Sequence, residues 1–512
     1  MPSESGSRKW FILVAMCLSI FTIAFNSTAI MNATVSIRNE LDLTTTTLSW
    51  VINAYLLTTA SCIIIGGQFS DLYGRRKMFY LGAVIFLIAS ILIATGQNFE
   101  MLLLGRILQG LGAAFITPGT LAVVKTTFSE EEDAYAIGMW SAAIGLGFAL
   151  GPTMSGIITD FIDWRYIFWI NVPILLTAII IVFIKDKSKH VANKKNAHLD
   201  ILGLFLLIAG ILPFTLGLIE GNNWGWNSYA TIGLLIAGPI LLVVFWQVET
   251  HIKHPLVHFE DFEKKIYVAG NIAMGTTVFV IMTVLYFINI YMQTPVLLNF
   301  TAIKAGIYML PFSGGMFITS SFCASKLTSG LGFRLPISVS FFAMSIAFAC
   351  MSLINLNTEY WELGIGLLVI GAGTGIAFSS APSLGMSAMP DEKAGEASGV
   401  ITTVNYICGV AAISIGTILF HHYGIKTVHR IISTFYFSKI QILQVNEILL
   451  GDNSALGVLL ASAPAVKSKL IVQALQSGGL ASLSSVMLMG SIATLICAVA
   501  CFQLIPKTHG KK

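Results

Sequence analysis

Charge is what this chain has least of. Only 11% of its 512 residues are Asp, Glu, Lys or Arg, where soluble domains carry roughly a quarter. Hydrophobic residues make up 55% and mean hydropathy is +0.81. That balance excludes a water-soluble globular protein. The net charge of +4 is small and spread over loops, so no nucleic-acid partner is expected. Disulfides are absent from the expectation too. The seven cysteines (17, 62, 323, 350, 408, 497 and 501) all sit in apolar runs, where a free thiol acts as a small apolar residue. Paired acids within apolar runs and a nucleophile–base pair are both lacking, so neither an enzyme nor a cofactor is implied.

Two segments mimic sites and are discounted. Gly371-Ala372-Gly373-Thr374-Gly375 looks like a nucleotide-binding turn, but it lacks the third glycine at the required spacing and lies in a spanning run. His251, His254 and His258 flank Pro255 beside Glu260, Asp261 and Glu263. They read as a solvated loop, with no metal site expected.

What the chain has in abundance is apolar runs. A helix needs about 20 apolar residues to cross the hydrocarbon core. Fourteen such runs are expected, near 10–35, 48–70, 78–97, 101–127, 137–161, 166–184, 201–221, 230–249, 266–293, 307–327, 337–354, 363–389, 400–423 and 480–505. Arg8 and Lys9 precede the first, which reads as a retained span. The fold class is therefore an all-α membrane protein. Short loops rich in Lys and Arg stay inside. Those with Arg75, Arg76 and Lys77, with Lys185 to Lys195, and with Lys253, Lys264 and Lys265 alternate with loops of little charge. Both termini are expected in the cytoplasm. Residues 185–200 read as a polar linker, and about 424–478 as a long outside loop with an amphipathic stretch from Ile431 to Leu450.

The motifs lie where spans begin, end or bend. Gly67-Gln68-Phe69-Ser70-Asp71-Leu72-Tyr73-Gly74-Arg75-Arg76-Lys77 joins the second and third runs. Asp71 and Arg75 are four residues apart, within ion-pair reach on a continuous helix, and Gly74 permits a tight reversal. In the fourth run Arg106 and Gln109 are three apart and share a face, and an intramembrane cation is costly and usually functional. In the fifth, Gly147, Gly151 and Gly156 make a small face beside Pro152, which kinks a helix. His421 and His422 close the thirteenth run, with imidazoles that titrate near neutrality.

Together these segments resemble the major facilitator superfamily of secondary transporters. The Gly67–Lys77 loop is similar to its cytoplasmic latch, the Arg106 segment to its fourth-span motif, and Gly147-x-x-x-Gly151-Pro152 to the antiporter motif of its exporting branches. A weaker copy of the latch, Ser325 to Arg334, has Ser329 at the acid position. The segments 49–57 and 164–173, with Gln293, Ala305, Gly306 and Pro311, resemble the fourteen-span drug:proton antiporter family.

The resemblance implies the major facilitator fold: a six-helix bundle (1–184), a linker with a two-helix insert (185–265), and a second six-helix bundle (266–512). It implies a non-enzymatic exporter in the cytoplasmic (inner) membrane, working by proton-coupled alternating access on small molecules. Protons and the bilayer are its further partners, and a monomer its working unit. Multidrug efflux is the first reading. Dedicated export of an endogenous neutral or anionic metabolite, such as a siderophore, is the alternative. Gating and coupling fall to Gly67, Asp71, Gly74, Arg75, Arg76, Arg106, Gln109, Gly147, Gly151, Pro152 and Gly156. The substrate cavity is expected at Asn26, Thr28, Asn32, Asn53, Tyr55, Asn289, Gln293, Asn405 and Tyr406. One departure stands out: the family's first-span aspartate is Asn26 here, which tilts the expectation toward neutral or anionic cargo.

Overall fold

A computed structural model describes residues 3–41, 43, 45–185, 200–252, 255, 257–294, 296–355, 358–390, 393–432 and 465–507. The helices are α1 (Ser3–Glu40), α2 (Thr45–Tyr73), α3 (Arg75–Ala94), α4 (Phe99–Thr127), α5 (Glu130–Phe161), α6 (Tyr166–Trp169), α7 (Asn171–Lys185), α8 (Ile201–Trp224) and α9 (Tyr229–Glu249). They continue with α10 (Lys265–Thr283), α11 (Asn289–Gln293), α12 (Ala302–Tyr308), α13 (Leu310–Ile318), α14 (Ala324–Leu331), α15 (Arg334–Met351), α16 (Tyr360–Ser387), α17 (Ala394–Ile432) and α18 (Ala465–Leu504). Their ends are set locally. Asn98 caps α4 through its side chain, which accepts from the Met101 amide at 3.0 Å. Asp200 and Ser228 do the same for α8 and α9, satisfying donors that a helix start leaves open.

Among the described residues, eleven helices are long and apolar enough to cross a membrane. The expected runs 48–70, 201–221 and 307–327 fall outside those eleven. They lie on α2, on α8 with its shorter apolar stretch Leu202–Leu218, and on α12 to α14. The last is broken at Met309 and again by a π-helical turn at Thr319–Cys323, so no single piece has spanning length. The thirteenth and fourteenth runs are longer than expected, because α17 continues to Ile432 and α18 starts at Ala465. The outside loop expected at 424–478 is shortened accordingly. All of the expected amphipathic stretch beyond Ile432 lies outside the described residues.

Helices α1 to α7 pack mainly on one another, α1 against α5 and α7, and α4 against α2 and α3. Helices α10 to α18 do likewise, α10 against α16, α17 and α18, and α15 against α16 and α18. The hairpin α8–α9 leans on α2 and α17. The groups join where α2 and α4 meet α17 and where α5 meets α12, α13 and α16. Ion pairs mark two faces. Lys9 pairs with Glu132, Arg8 donates to the Lys185 carbonyl, and Arg75 donates to Thr126 at 3.0 Å. These helix ends form a basic face. On the opposite face Arg165 holds Glu40 at 2.6 Å and the Gly96 carbonyl at 3.3 Å.

Candidate functional site

Arg106, two turns into α4, is 1% exposed. A buried cation needs partners, and these come from three directions. Its Nε donates to the Val51 carbonyl on α2 at 3.0 Å, and its Nη1 to Gln109 Oε1 at 3.1 Å. Its guanidinium carbon lies 4.4 Å from the centre of the Tyr55 ring, a cation–π distance.

Gln109 passes the network on. Its Nε2 donates to Ser90 Oγ on α3 at 2.9 Å, and its Oε1 also accepts from Asn26 Nδ2 at 3.3 Å. Asn171, at the start of α7, donates to Asn26 Oδ1 at 3.3 Å and Ser90 Oγ at 3.4 Å. Asn26, Ser90, Gln109 and Asn171 are all fully buried. The sequence reading named Asn26, Arg106 and Gln109 but not Ser90 or Asn171, whose roles appear only when α3 and α7 close on α1 and α4. It also singled out Arg106 as the charge within the spans, whereas Glu220 near the end of α8 is equally buried.

Tyr55 is the network's exit. Its hydroxyl accepts from Ser27 Oγ at 3.2 Å and lies beside the Tyr406 hydroxyl of α17. Tyr406 and Asn405 line a cavity of about 100 Å³ between α1, α5, α10 and α17. Its other polar contributors are Ser27, Thr117, Trp140 and Thr402, set among Ile20, Ile144, Phe148, Val278 and Phe378. Among the described residues, no charged side chain lines it. Of the expected cavity residues, Asn405 and Tyr406 face it, while Asn26, Thr28, Asn53, Tyr55, Asn289 and Gln293 are not among its lining. Asn289 instead accepts from Gln293 one turn on, and the Asn32 side chain lies outside those described.

Two serine bonds close the basic-face side. Ser141 Oγ of α5 donates to the Phe378 carbonyl of α16 at 3.1 Å, and Ser398 Oγ of α17 to the Pro118 carbonyl of α4 at 3.0 Å. Both acceptors are interior helix carbonyls. Pro382 of α16 is four residues beyond Phe378 and has no N–H to give it, so the carbonyl is open to a side-chain donor. Pro118 is itself inside α4.

The glycine face of α5 packs on α1. A methyl group added at Gly147 would lie 2.7 Å from the Phe21 carbonyl and 2.8 Å from Ala24 Cβ. One added at Gly151 would overlap Thr28 Oγ1 and approach the Phe25 carbonyl at 3.1 Å. Gly156 is buried, and the Pro152 side chain is outside those described. The expected loop 67–77 is almost wholly helical: Gly67 is buried within α2, and Gly74, with φ of 99°, is the one residue between α2 and α3 and caps α3. That angle disfavours any side chain. Arg76 donates to the Tyr80 hydroxyl at 3.2 Å. The Asp71 side chain is outside those described.

The histidine loop differs from expectation. His258 is part-buried, and its backbone N–H and ring Nδ1 both meet Glu396 of α17, at 2.8 and 3.1 Å. Asp261 takes Lys264 at 2.8 Å and Lys393 at 2.9 Å. A ring nitrogen of His258 and one carboxylate oxygen each of Asp261 and Glu396 lie within 4.8 Å of one another. Two ammonium groups already neutralise Asp261, so the arrangement works as an ion network tying the segment before α10 to the start of α17. The Glu396 hydrogen bond raises the His258 pKa against the opposing effect of burial. Burial pushes Asp261 up, but the bonds from Lys264 and Lys393 outweigh it and hold the carboxyl below its ordinary range.

Comparison with known proteins follows this geometry. The family model described as Major Facilitator Superfamily matches residues 16–413. The tetracenomycin C resistance and export protein of Streptomyces glaucescens is 26% identical over 80% of this chain and 75% of its own length. The puromycin resistance protein of Streptomyces alboniger is 26% identical over 81% and 84%. In fold, the chain is similar to the human organic anion transporter MFSD10, with a TM-score of 0.60 at 12% identity over 98% of this chain and 100% of that one. The proton:xylose symporter XylE gives the same TM-score and identity over 99% and 98%. A polar core around one buried arginine, a cavity between two helical groups and a family match over most of the chain lead to one conclusion: this multi-pass membrane protein belongs to the major facilitator superfamily, whose members are transporters and not enzymes.

Proposed function

We propose that the protein is a fourteen-span drug:proton antiporter that exports apolar, neutral small molecules by alternating access. The observation that carries this reading is the central cavity, whose wall is apolar with a few neutral hydrogen-bonding groups, Asn405, Tyr406, Thr402 and Thr117 among them. Such a wall holds an apolar molecule and orients it through one or two polar contacts. The printed functions of the relatives, resistance to and export of antibiotics, support efflux. Export of an endogenous neutral metabolite would use the same wall. An anionic passenger is less well served, because Arg106 is enclosed by Val51, Gln109 and Tyr55 instead of lining the cavity.

In this reading α2, α8 and α12 to α14 complete the fourteen spans, residues 1–184 and 266–512 form the two bundles, and 185–265 the insert. The basic face and both termini lie in the cytoplasm of the producing cell. The loop from Gly67 to Lys77 is the latch, and Arg106 with Gln109 couples it to the interior. Proton coupling needs a group that changes charge inside the membrane. Asn26 has none to offer, so the fully buried carboxyl of Glu220 in α8 is the side chain to substitute first.

The test is uptake by inverted vesicles of matched cationic, neutral and anionic compounds, with and without an uncoupler. Proton-driven uptake of the neutral series, lost on uncoupling and in Glu220→Gln, is expected. Uncoupler-insensitive uptake would reject proton coupling, and strong uptake of cations would reject the neutral cargo.

A further inference from the structure

A second cavity, of about 560 Å³, lies between α15 and α16, away from the central one. Its floor carries small residues, Ala343 and Ala347 four apart on α15 and Gly366 on α16, with Met351 packed against Gly366. Its rims carry Ile346, Leu353 and Ile365, which are 51, 78 and 53% exposed. Both helices are among those long and apolar enough to span the membrane, so these rims meet lipid tails. The volume is that of an ordinary ligand pocket.

One end of this groove is polar. Asn355, Thr358 and Glu362 line it there. Thr358 Oγ1 accepts from the Asn355 backbone N–H at 2.8 Å. Tyr360 and Trp361, beside Glu362, are both exposed. Exposed Trp and Tyr at a helix end mark the depth of lipid headgroups. Glu362 is exposed and pairs with no basic side chain among the described residues.

We propose that this groove binds one phospholipid with a primary ammonium headgroup, phosphatidylethanolamine, its tail along Ala343, Ala347 and Gly366 and its ammonium on Glu362. The polarity of the groove matches an amphiphile standing along the helices with its head at the interface. The charge selects the head. A primary ammonium donates hydrogen bonds to a carboxylate, a quaternary one donates none, and an anionic head is repelled. The lipid sits on the outside of the second helical group, where it would brace α15 against α16.

The test is labelling of the full-length protein in bilayers by phospholipids carrying a photoreactive tail, with the labelled positions mapped by peptide mass spectrometry. Phosphatidylethanolamine, phosphatidylcholine and phosphatidylglycerol probes are compared. The expected result is labelling of the 343–369 segment that is about two- to fivefold stronger with phosphatidylethanolamine, the size of an exposed charge contact. Glu362→Gln should bring that down to the phosphatidylcholine level, and Ala343→Trp should remove labelling by all three. Glu362 is on the surface, so its variant keeps the test valid if Ala343→Trp does not fold. Equal labelling by the three probes, an ethanolamine preference unchanged in Glu362→Gln, or labelling confined to other segments would each overturn the proposal.

Discussion

The guanidinium of Arg106 rests on the ring of Tyr55, 4.4 Å from its centre, while the hydroxyl of the same tyrosine reaches Tyr406 on α17. One side chain thus links the buried charge of the first helical group to the wall of the central cavity. Tyr55→Phe keeps the ring and deletes the bridge. We expect it to leave folding intact and to change the initial transport rate by about three- to tenfold, the equivalent of one net hydrogen bond of about 1 kcal/mol. Tyr55→Ala, which also uncovers Arg106, should be much worse. Rates in reconstituted vesicles decide this, and equal rates for Tyr55→Phe and the unmodified protein would remove the bridge from the mechanism.

Arg106 itself is held through its own N–H donors, set in a fixed fork. Lysine keeps the charge but cannot serve Val51 and Gln109 together while lying flat on Tyr55. Arg106→Lys should therefore lose most transport and some stability, and Arg106→Ala should lose transport while leaving Gln109, Ser90, Asn26 and Asn171 bonded to one another. Thermal unfolding in detergent alongside transport separates the two effects. Full activity of the lysine variant would show that charge alone suffices.

Gly151 tests the contact of α5 with α1. Even Gly151→Ala places carbon against Thr28 Oγ1, and overpacking typically costs about 1–3 kcal/mol. Thr28→Ala removes that oxygen. The double variant should recover much of the stability and transport lost in Gly151→Ala, and a double variant no better than the single would place the damage elsewhere.

The His258–Glu396 contact gives a pH dependence with a definite sign. The folded-state pKa of His258 is raised above its ordinary 6.5. The pair therefore adds stability that is fully present below about 6.5 and is lost as pH climbs through the raised value. The unmodified protein should exceed His258→Gln in unfolding temperature at mildly acidic pH, with the gap closing on the alkaline side. For a part-exposed pair the gap corresponds to about 0.2–1 kcal/mol. A gap that widened with pH would contradict the assignment.

Local spacing carried part of this architecture. Arg106 and Gln109, three apart, bond to each other, and the small residues Gly147 and Gly151 do meet a neighbouring helix. Eleven of the spanning runs and the turn at Gly74 were readable because hydropathy and glycine act over a few residues. The partners were not. Ser90 and Asn171 are ordinary polar residues until α3 and α7 bring them to Gln109, and His258 meets Glu396 across 138 positions. Nor does an apolar helix announce which side faces a cavity. Asn26 was expected to face cargo, and its amide is spent instead on Gln109 and Asn171. Glu220 went unmarked because it closes an apolar run, where a charge looks like a boundary.

The serine bonds from Ser141 to Phe378 and from Ser398 to Pro118 join helices that must part if the basic face is to open. Each is neutral and contributes on the order of 1 kcal/mol, so ionic strength has little hold on them. A passenger offering a single donor or acceptor to Asn405 or Tyr406 gains an amount of the same size. In the proposed cycle, breaking one of these bonds and seating such a passenger are of the same scale.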